Sequence, residues 1–136
     1  VDTEHGHGSG TCVSPTGLVV TNYHVLEHEG KLQQAGVLIG FPDAWDEPPV
    51  QAFTAKVVAH DQELDLVLLQ LDEDTLGRPL PAGLTLPFRP VGDPAALRLG
   101  DPLWVGGYPA VGGFESRASI SLTQGILSGF TTDGRG

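Results

Sequence analysis

Leu18-Val19-Val20-Thr21-Asn22-Tyr23-His24-Val25 is the stretch whose reading decides the fold. Four residues with high strand preference run into a polar break and then a histidine. Pro15-Thr16-Gly17 stands just before them, with Thr11-Cys12-Val13-Ser14 on its other side. Two short apolar runs flanking a Pro/Gly turn predict a β-hairpin, not a helix start. A second run, residues 64–71, is the most apolar of the chain, with Asp61 and Asp72 at its flanks. Its eight residues predict a strand buried on both faces; a buried helix competes, but the segment is short for one. Residues 36–41 and 52–60 are two further strand candidates. The loop between them, Pro42-Asp43-Ala44-Trp45-Asp46-Glu47-Pro48-Pro49, is too rich in proline and acid to be a strand.

Further out, residues 73–95 carry Pro79, Pro81, Pro87, Pro90 and Pro94. Proline donates no ladder hydrogen bond, so this stretch predicts a long connection. Residues 102–107 and 120–130 predict a new pair of strands, separated by a glycine-rich turn around Gly112-Gly113. Residues 1–10 are polar and predict a loose lead-in. Nothing repeats internally, and no stretch has the period of an amphipathic helix. The 19 Gly and 11 Pro among 136 residues punctuate the chain into short segments and favour an all-β fold. The architecture expected is a β-barrel or sandwich, a linker, and the start of a second β unit.

The chain is about one domain long, and 40% hydrophobic with 18% charged residues is ordinary globular composition. Its formal charge of −10 repels phosphate backbones and anionic lipid, which argues against nucleic acid and membrane partners. The acid excess reads as a solvated surface; a weaker option is a preference for cationic peptides. Cys12 is the only cysteine, so no intrachain disulfide is expected and the redox compartment is not legible. No apolar run is long enough to span a bilayer. The polar opening does not read as a signal peptide, and the absence of Met fits a processed or excised chain.

His24 stands where a strand ends, a place from which an imidazole can face a surface cleft. Asp65, in Glu63-Leu64-Asp65-Leu66, stands at the mouth of the apolar run. A carboxylate there is expected to be partly desolvated and to need a partner, and an imidazole N–H is a natural one. Serine acyl transfer needs such a pair, His as base and Asp as its orienter. On the residues alone a structural role for either is the more common reading: a hydrogen-bonded core or surface histidine, a turn or strand-end acid.

The order of motifs adds to this. Gly8-Ser9-Gly10 followed by Ser14 to Val25 resembles the region around the active-site histidine of HtrA (Do-like) trypsin-fold serine proteases. Val58-Ala59-His60-Asp61 with Leu64-Asp65-Leu66-Val67-Leu68-Leu69 is similar to the family's segment bearing the catalytic Asp. Val91-Gly92-Asp93 with Leu97 to Pro102, then Val105-Gly106-Gly107-Tyr108-Pro109, resemble its entry to the second barrel and a short glycine-proline motif. Thr123-Gln124-Gly125-Ile126-Leu127-Ser128-Gly129 resembles the strand before the nucleophile's loop. The resemblance covers about residues 8–131. It implies an all-β, chymotrypsin-type double barrel, with the first barrel complete in residues 1–95 and the second only begun in 96–136. It further implies catalytic roles for His24 and Asp65, no cofactor, no metal, peptide or unfolded-protein substrates and an extracytoplasmic location.

The family's Gly-Asn/Asp-Ser-Gly-Gly motif, which carries the nucleophile and oxyanion-hole amides, is nowhere in these 136 residues. Ser9, Ser14, Ser116, Ser119, Ser121 and Ser128 read as surface or strand hydroxyls. The expected activity is therefore serine endopeptidase for an intact parent, with this chain inactive alone. Strands left without neighbours predict self-association, or a partner chain, through residues 100–131. A non-catalytic binding or scaffold module is the alternative. A third reading comes from His24-Val25-Leu26-Glu27-His28, which satisfies the inverted zinc-protease pattern H-x-x-E-H; that chemistry needs both histidines on one helix face, and Gly30 limits any helix here to about a turn. His5-Gly6-His7 is a weak metal tract on the lead-in, and Trp45 and Trp104 read as packing residues.

Overall fold

The computed structural model describes residues 1–44, 47–108 and 120–131. Seven strands and one short helix precede the long connection. They are β1 (Gly10–Cys12), β2 (Leu18–Thr21), α1 (Tyr23–Leu26), β3 (Glu27–His28), β4 (Lys31–Leu32), β5 (Val37–Phe41), β6 (Val50–Asp61) and β7 (Leu66–Asp74). β8 (Pro102–Gly107) and β9 (Ser121–Ile126) follow the connection. The fold is all-β, as the segment pattern predicts.

β1, β2, β7, β6 and β5 form one antiparallel sheet in that order, and it curls. β6 explains the curl. Its 12 residues pair with β5 through their first half and with β7 through most of their length. The ladder slips between Thr54 and Ala55 and again between Val57 and Ala59, and each such bulge bends and twists a strand. Concave-face side chains form the core: Val19, Val37, Ile39, Ala55, Val67, Leu69 and Leu71 are all buried, joined by Cys12, Leu26 and Leu86. Thr21 is the buried polar residue among them, and its hydroxyl donates to the Ser9 carbonyl at 2.8 Å.

The strand predicted over 64–71 is shifted, since Leu64 and Asp65 belong to the turn before β7 and β7 runs on to Asp74; two further expectations need correcting. β7 is not buried on both faces. Val67, Leu69 and Leu71 alternate with the more accessible Leu66, Leu68 and Gln70, the period-two pattern of a strand with one core face. The outer side of Leu66 and Leu68 instead opens, with Val20, Ala59 and His60, onto an apolar hollow of about 260 Å³. Nor is the lead-in loose. Asp2 bridges His7 and also Leu38 of β5, while the Thr3 hydroxyl accepts the His5 and Gly6 amides. Residues 1–8 thus form a tight turn lying between the edge strands β5 and β1, and the Asp2 carboxylate accepts the Gln51 side-chain amide. Their polar sequence concealed this because turn and tail share a composition.

The turn at Pro15-Thr16-Gly17 depends on glycine. Gly17 has φ +87°, and a Cβ there would come within 2.8 Å of Leu71 Cγ and Cδ1. Gly17→Ala should therefore lower stability by about 1–3 kcal/mol, combining backbone strain with displacement of a core leucine. Gly36 has φ +69° and open space, so Gly36→Ala should cost less. Urea unfolding of the two variants checks this; equal midpoints would mean the Leu71 contact carries no weight.

Residues 75–93 form the predicted connection without a strand, though Leu86 N–H and Arg89 N–H bond back to Pro15 and Cys12 carbonyls. A single 3₁₀ turn, Pro94–Ala96, leads on to β8. β8 and β9 pair with each other in a separate two-stranded sheet. The expected turn at Gly112-Gly113, and Trp45, lie outside the described residues. The Tyr108 N–H donates to Ser9 Oγ at 2.7 Å, tying the end of β8 to the start of the first sheet.

Candidate active site

β2 ends at Thr21, and Asn22 keeps an extended backbone (φ −80°, ψ 147°) before the single turn of α1. This change of direction carries His24 off the sheet. Asp65 closes the turn 62–65 between β6 and β7 and has φ +55°. Few residues other than glycine accept the left-handed region; Asp and Asn are the usual ones. β2 and β7 are neighbours, with Thr21 opposite Val67, so the end of one meets the start of the other.

The structure brings the two sequence-predicted residues together. His24 Nδ1 lies 2.7 Å from Asp65 Oδ2, and the His24 backbone N–H donates to Asp65 Oδ1 at 2.9 Å. The Tyr23 N–H donates to the Asp65 carbonyl at 3.1 Å. Both side chains are open, at 70% exposed for His24 and 42% for Asp65. The expected desolvation of Asp65 is therefore not what steadies it: hydrogen bonds are. The His24 backbone N–H and then the His24 ring hold its carboxyl below the usual carboxylate range. An ionised carboxylate on Nδ1 favours the imidazole tautomer that carries its proton there, leaving Nε2 as an acceptor.

Asp74 is held low as well, by the Arg78 backbone N–H and the Arg78 guanidinium, 2.6 Å away. A carboxyl with a depressed folded value contributes stability that is fully present above about pH 4 and lost as pH falls through the folded value. Urea stability should therefore decline below about pH 4, and more shallowly in Asp65→Asn than in the wild type. Parallel profiles would contradict a native-state bond to the carboxylate.

The other candidates are not assembled into sites. α1 stops at Leu26, and His28 lies in β3, so His24 and His28 do not share a helix face as H-x-x-E-H chemistry needs. The His28 ring stacks on His5 at 3.7 Å. Among the described residues no group of three His, Cys, Asp or Glu is arranged to hold a metal ion. The Ser14 hydroxyl accepts the Leu18 amide within the hairpin turn, and Ser9 is engaged as above. Ser116 and Ser119 lie outside the described residues. Among those described, no serine hydroxyl bonds to His24.

Sequence reasoning missed Asn22. Its side-chain amide reaches both the carbonyl and the carboxylate of Asp65, each at 3.1 Å. A polar residue directly after a strand and two before a candidate base was the available signal.

Comparison with known proteins gives the family. Residues 8–136 match the trypsin-like peptidase domain. The chain is 33% identical over 121 residues to a DegP-like periplasmic serine endoprotease of Rickettsia prowazekii, covering 89% of this chain and 19% of the relative. It is 32% identical over 121 residues to the corresponding Chlamydia trachomatis protein, with the same coverage. It is 30% identical over 135 residues to chloroplastic Protease Do-like 8 of Arabidopsis thaliana, covering 98% of this chain and 27% of that protein. The chain thus spans about a fifth to a quarter of the length of these relatives.

Proposed function

Because the chain belongs to the trypsin-like peptidase family and is similar to its DegP/Do-like members, we propose that it supplies the base and the orienting acid of a serine endopeptidase. The observation that carries this reading is the 2.7 Å contact between His24 Nδ1 and Asp65 Oδ2. Asp65 holds the ring in the tautomer that leaves Nε2 free. Nε2 takes the proton of a serine hydroxyl as it attacks a peptide carbonyl and returns it to the leaving amine; Asp65 stabilises the imidazolium between the two steps. Peptides or unfolded segments of protein are the substrates, and the names of the bacterial relatives favour a periplasmic or otherwise extracytoplasmic setting.

In this reading residues 1–95 are a first barrel and 96–136 the first strands of a second, and the nucleophile comes from residues outside the 136. The chain alone then has neither nucleophile nor oxyanion-hole amides and gives no turnover. The test is to express the chain with whatever its gene encodes after Gly136 and react it with a serine-directed fluorophosphonate. Labelling that depends on His24 supports the proposal. No labelling, with the fold intact, replaces it with a non-catalytic binding module.

β8 and β9 also have a bearing on partners. Trp104 is not the packing residue that its sequence context predicts: with Val105, Leu122 and Ile126 it is 62–68% exposed, and neither strand carries a charged residue. Each strand has one edge unpaired within its sheet. Uncharged, exposed edges template pairing with another strand, so the isolated chain should self-associate through this sheet. Sedimentation velocity should show a mass that rises with concentration, and Val105→Lys should return it to monomer. A monomer at every concentration would contradict this.

A further inference from the structure

We propose that Asn22 is the positioning residue of the pair, its side-chain amide clamping Asp65 by bonding main-chain carbonyl and carboxylate together. This rests on reading His24 and Asp65 as the proton-handling pair. Asn22 occupies the N-cap of α1, where an Asn side chain ordinarily accepts an amide of the first turn, yet it makes no capping bond. The amide it would have accepted, that of His24, is bonded instead to Asp65 Oδ1. The acid thus caps the turn from across the sheet, and Asn22 turns its own donor onto the acid.

The amide's orientation is forced. Both groups that Asn22 meets, Asp65 O and Oδ2, are acceptors, so only the NH₂ end fits there; the carbonyl end would face two oxygens. Counting His24 and Tyr23, five donor contacts from three consecutive residues converge on Asp65. They hold a non-glycine residue at φ +55°, a conformation that costs energy unless its surroundings fix it. Asn22 alone joins the strained backbone to the carboxylate. It therefore couples the main-chain conformation of Asp65 to the direction from which Oδ2 meets the imidazole. Asn22 is exposed, so its replacement disturbs no core packing.

The experiment uses this chain, with Asn22→Ala, the near-isosteric Asn22→Asp, and Asp65→Asn as reference. NMR follows the Asp65 carboxyl titration, the His24 Nδ1 proton and hydrogen exchange at the Tyr23 amide. Both Asn22 variants should move the Asp65 titration upward, Asn22→Asp further because it sets a second carboxylate against the first. Tyr23 exchange should quicken by about five- to tenfold, as expected for one lost hydrogen bond to a clamped group. An unchanged Asp65 titration overturns the proposal, whether exchange stays the same or rises evenly over β2, β6 and β7. If Asp65→Asn also leaves the His24 proton unmoved, the reading of the pair falls as well. If Asp65→Asn removes that signal, the pair stands and only the role of Asn22 is lost.

Discussion

Under the proposed function, Asp65→Asn, made in a form of the protein that carries the nucleophile, should lower kcat by about ten-thousandfold with the fold intact. Asn tolerates the left-handed backbone at φ +55°, and its side-chain oxygen can still accept the His24 amide, so the turn survives. What changes is the group facing Nδ1. An NH₂ there needs an acceptor, so the ring moves its proton to Nε2. The base then meets the serine hydroxyl already protonated on the nitrogen that should receive, and the charge that would stabilise the imidazolium is gone. A four-decade loss corresponds to about 5.5 kcal/mol of transition-state stabilisation. Steady-state kinetics on a peptide substrate gives the size, and ring ¹⁵N shifts give the tautomer. A loss smaller than about tenfold would mean that Asp65 is not the orienter, whatever its distance from His24.

Leu69→Ala should have the largest effect on folding, about 3 kcal/mol within the 2–5 range of buried leucine truncations. Leu69 is fully buried in the middle of β7, the central strand, opposite Val19 of β2 and Val57 of β6. Its neighbours are tied into two ladders and cannot collapse far into the space left behind. Set against a typical net stability of about 5–15 kcal/mol, that is a substantial fraction. Leu66 is three residues away, on the opposite face and 42% exposed, and Leu66→Ala should cost about 1 kcal/mol or less. Urea midpoints with unchanged slopes make the comparison. Similar losses at both positions would mean that β7 buries both faces after all.

That contrast between Leu66 and Leu69 shows where sequence reading reached its limit. A continuous run of apolar residues told that a strand lay within 64–71, because a short run flanked by acids has few other uses, although Leu64 and Asp65 fall in the preceding turn and the strand runs on to Asp74. It did not tell which face was covered, since Leu, Val and Leu look alike from either side. The register to β2 and β6 decides that, and the two bulges in β6 help to set the register. The lead-in was misread for a related reason. Thr3, Gly6 and Gly8 suit a flexible tail or a tight turn equally well, and only the edge of β5 at Leu38 selects the turn.

The sequence alone determined the hairpin around Pro15-Thr16-Gly17, the long proline-marked connection, the strands that follow it, and the pair of residues worth watching. Turn chemistry and the two-residue period act over a few neighbours, so the order of amino acids is enough. Tertiary structure decided the rest: that Asp65 is steadied by donors and stays open to solvent, that Asn22 faces it, and that Ser9 receives the Tyr108 amide. These contacts join residues 41, 43 and 99 positions apart. A hydrogen bond tolerates only a few tenths of an ångström, and no local preference fixes distances that finely across such separations. They exist only once β2 and β7 lie side by side and the second sheet docks at the mouth of the first.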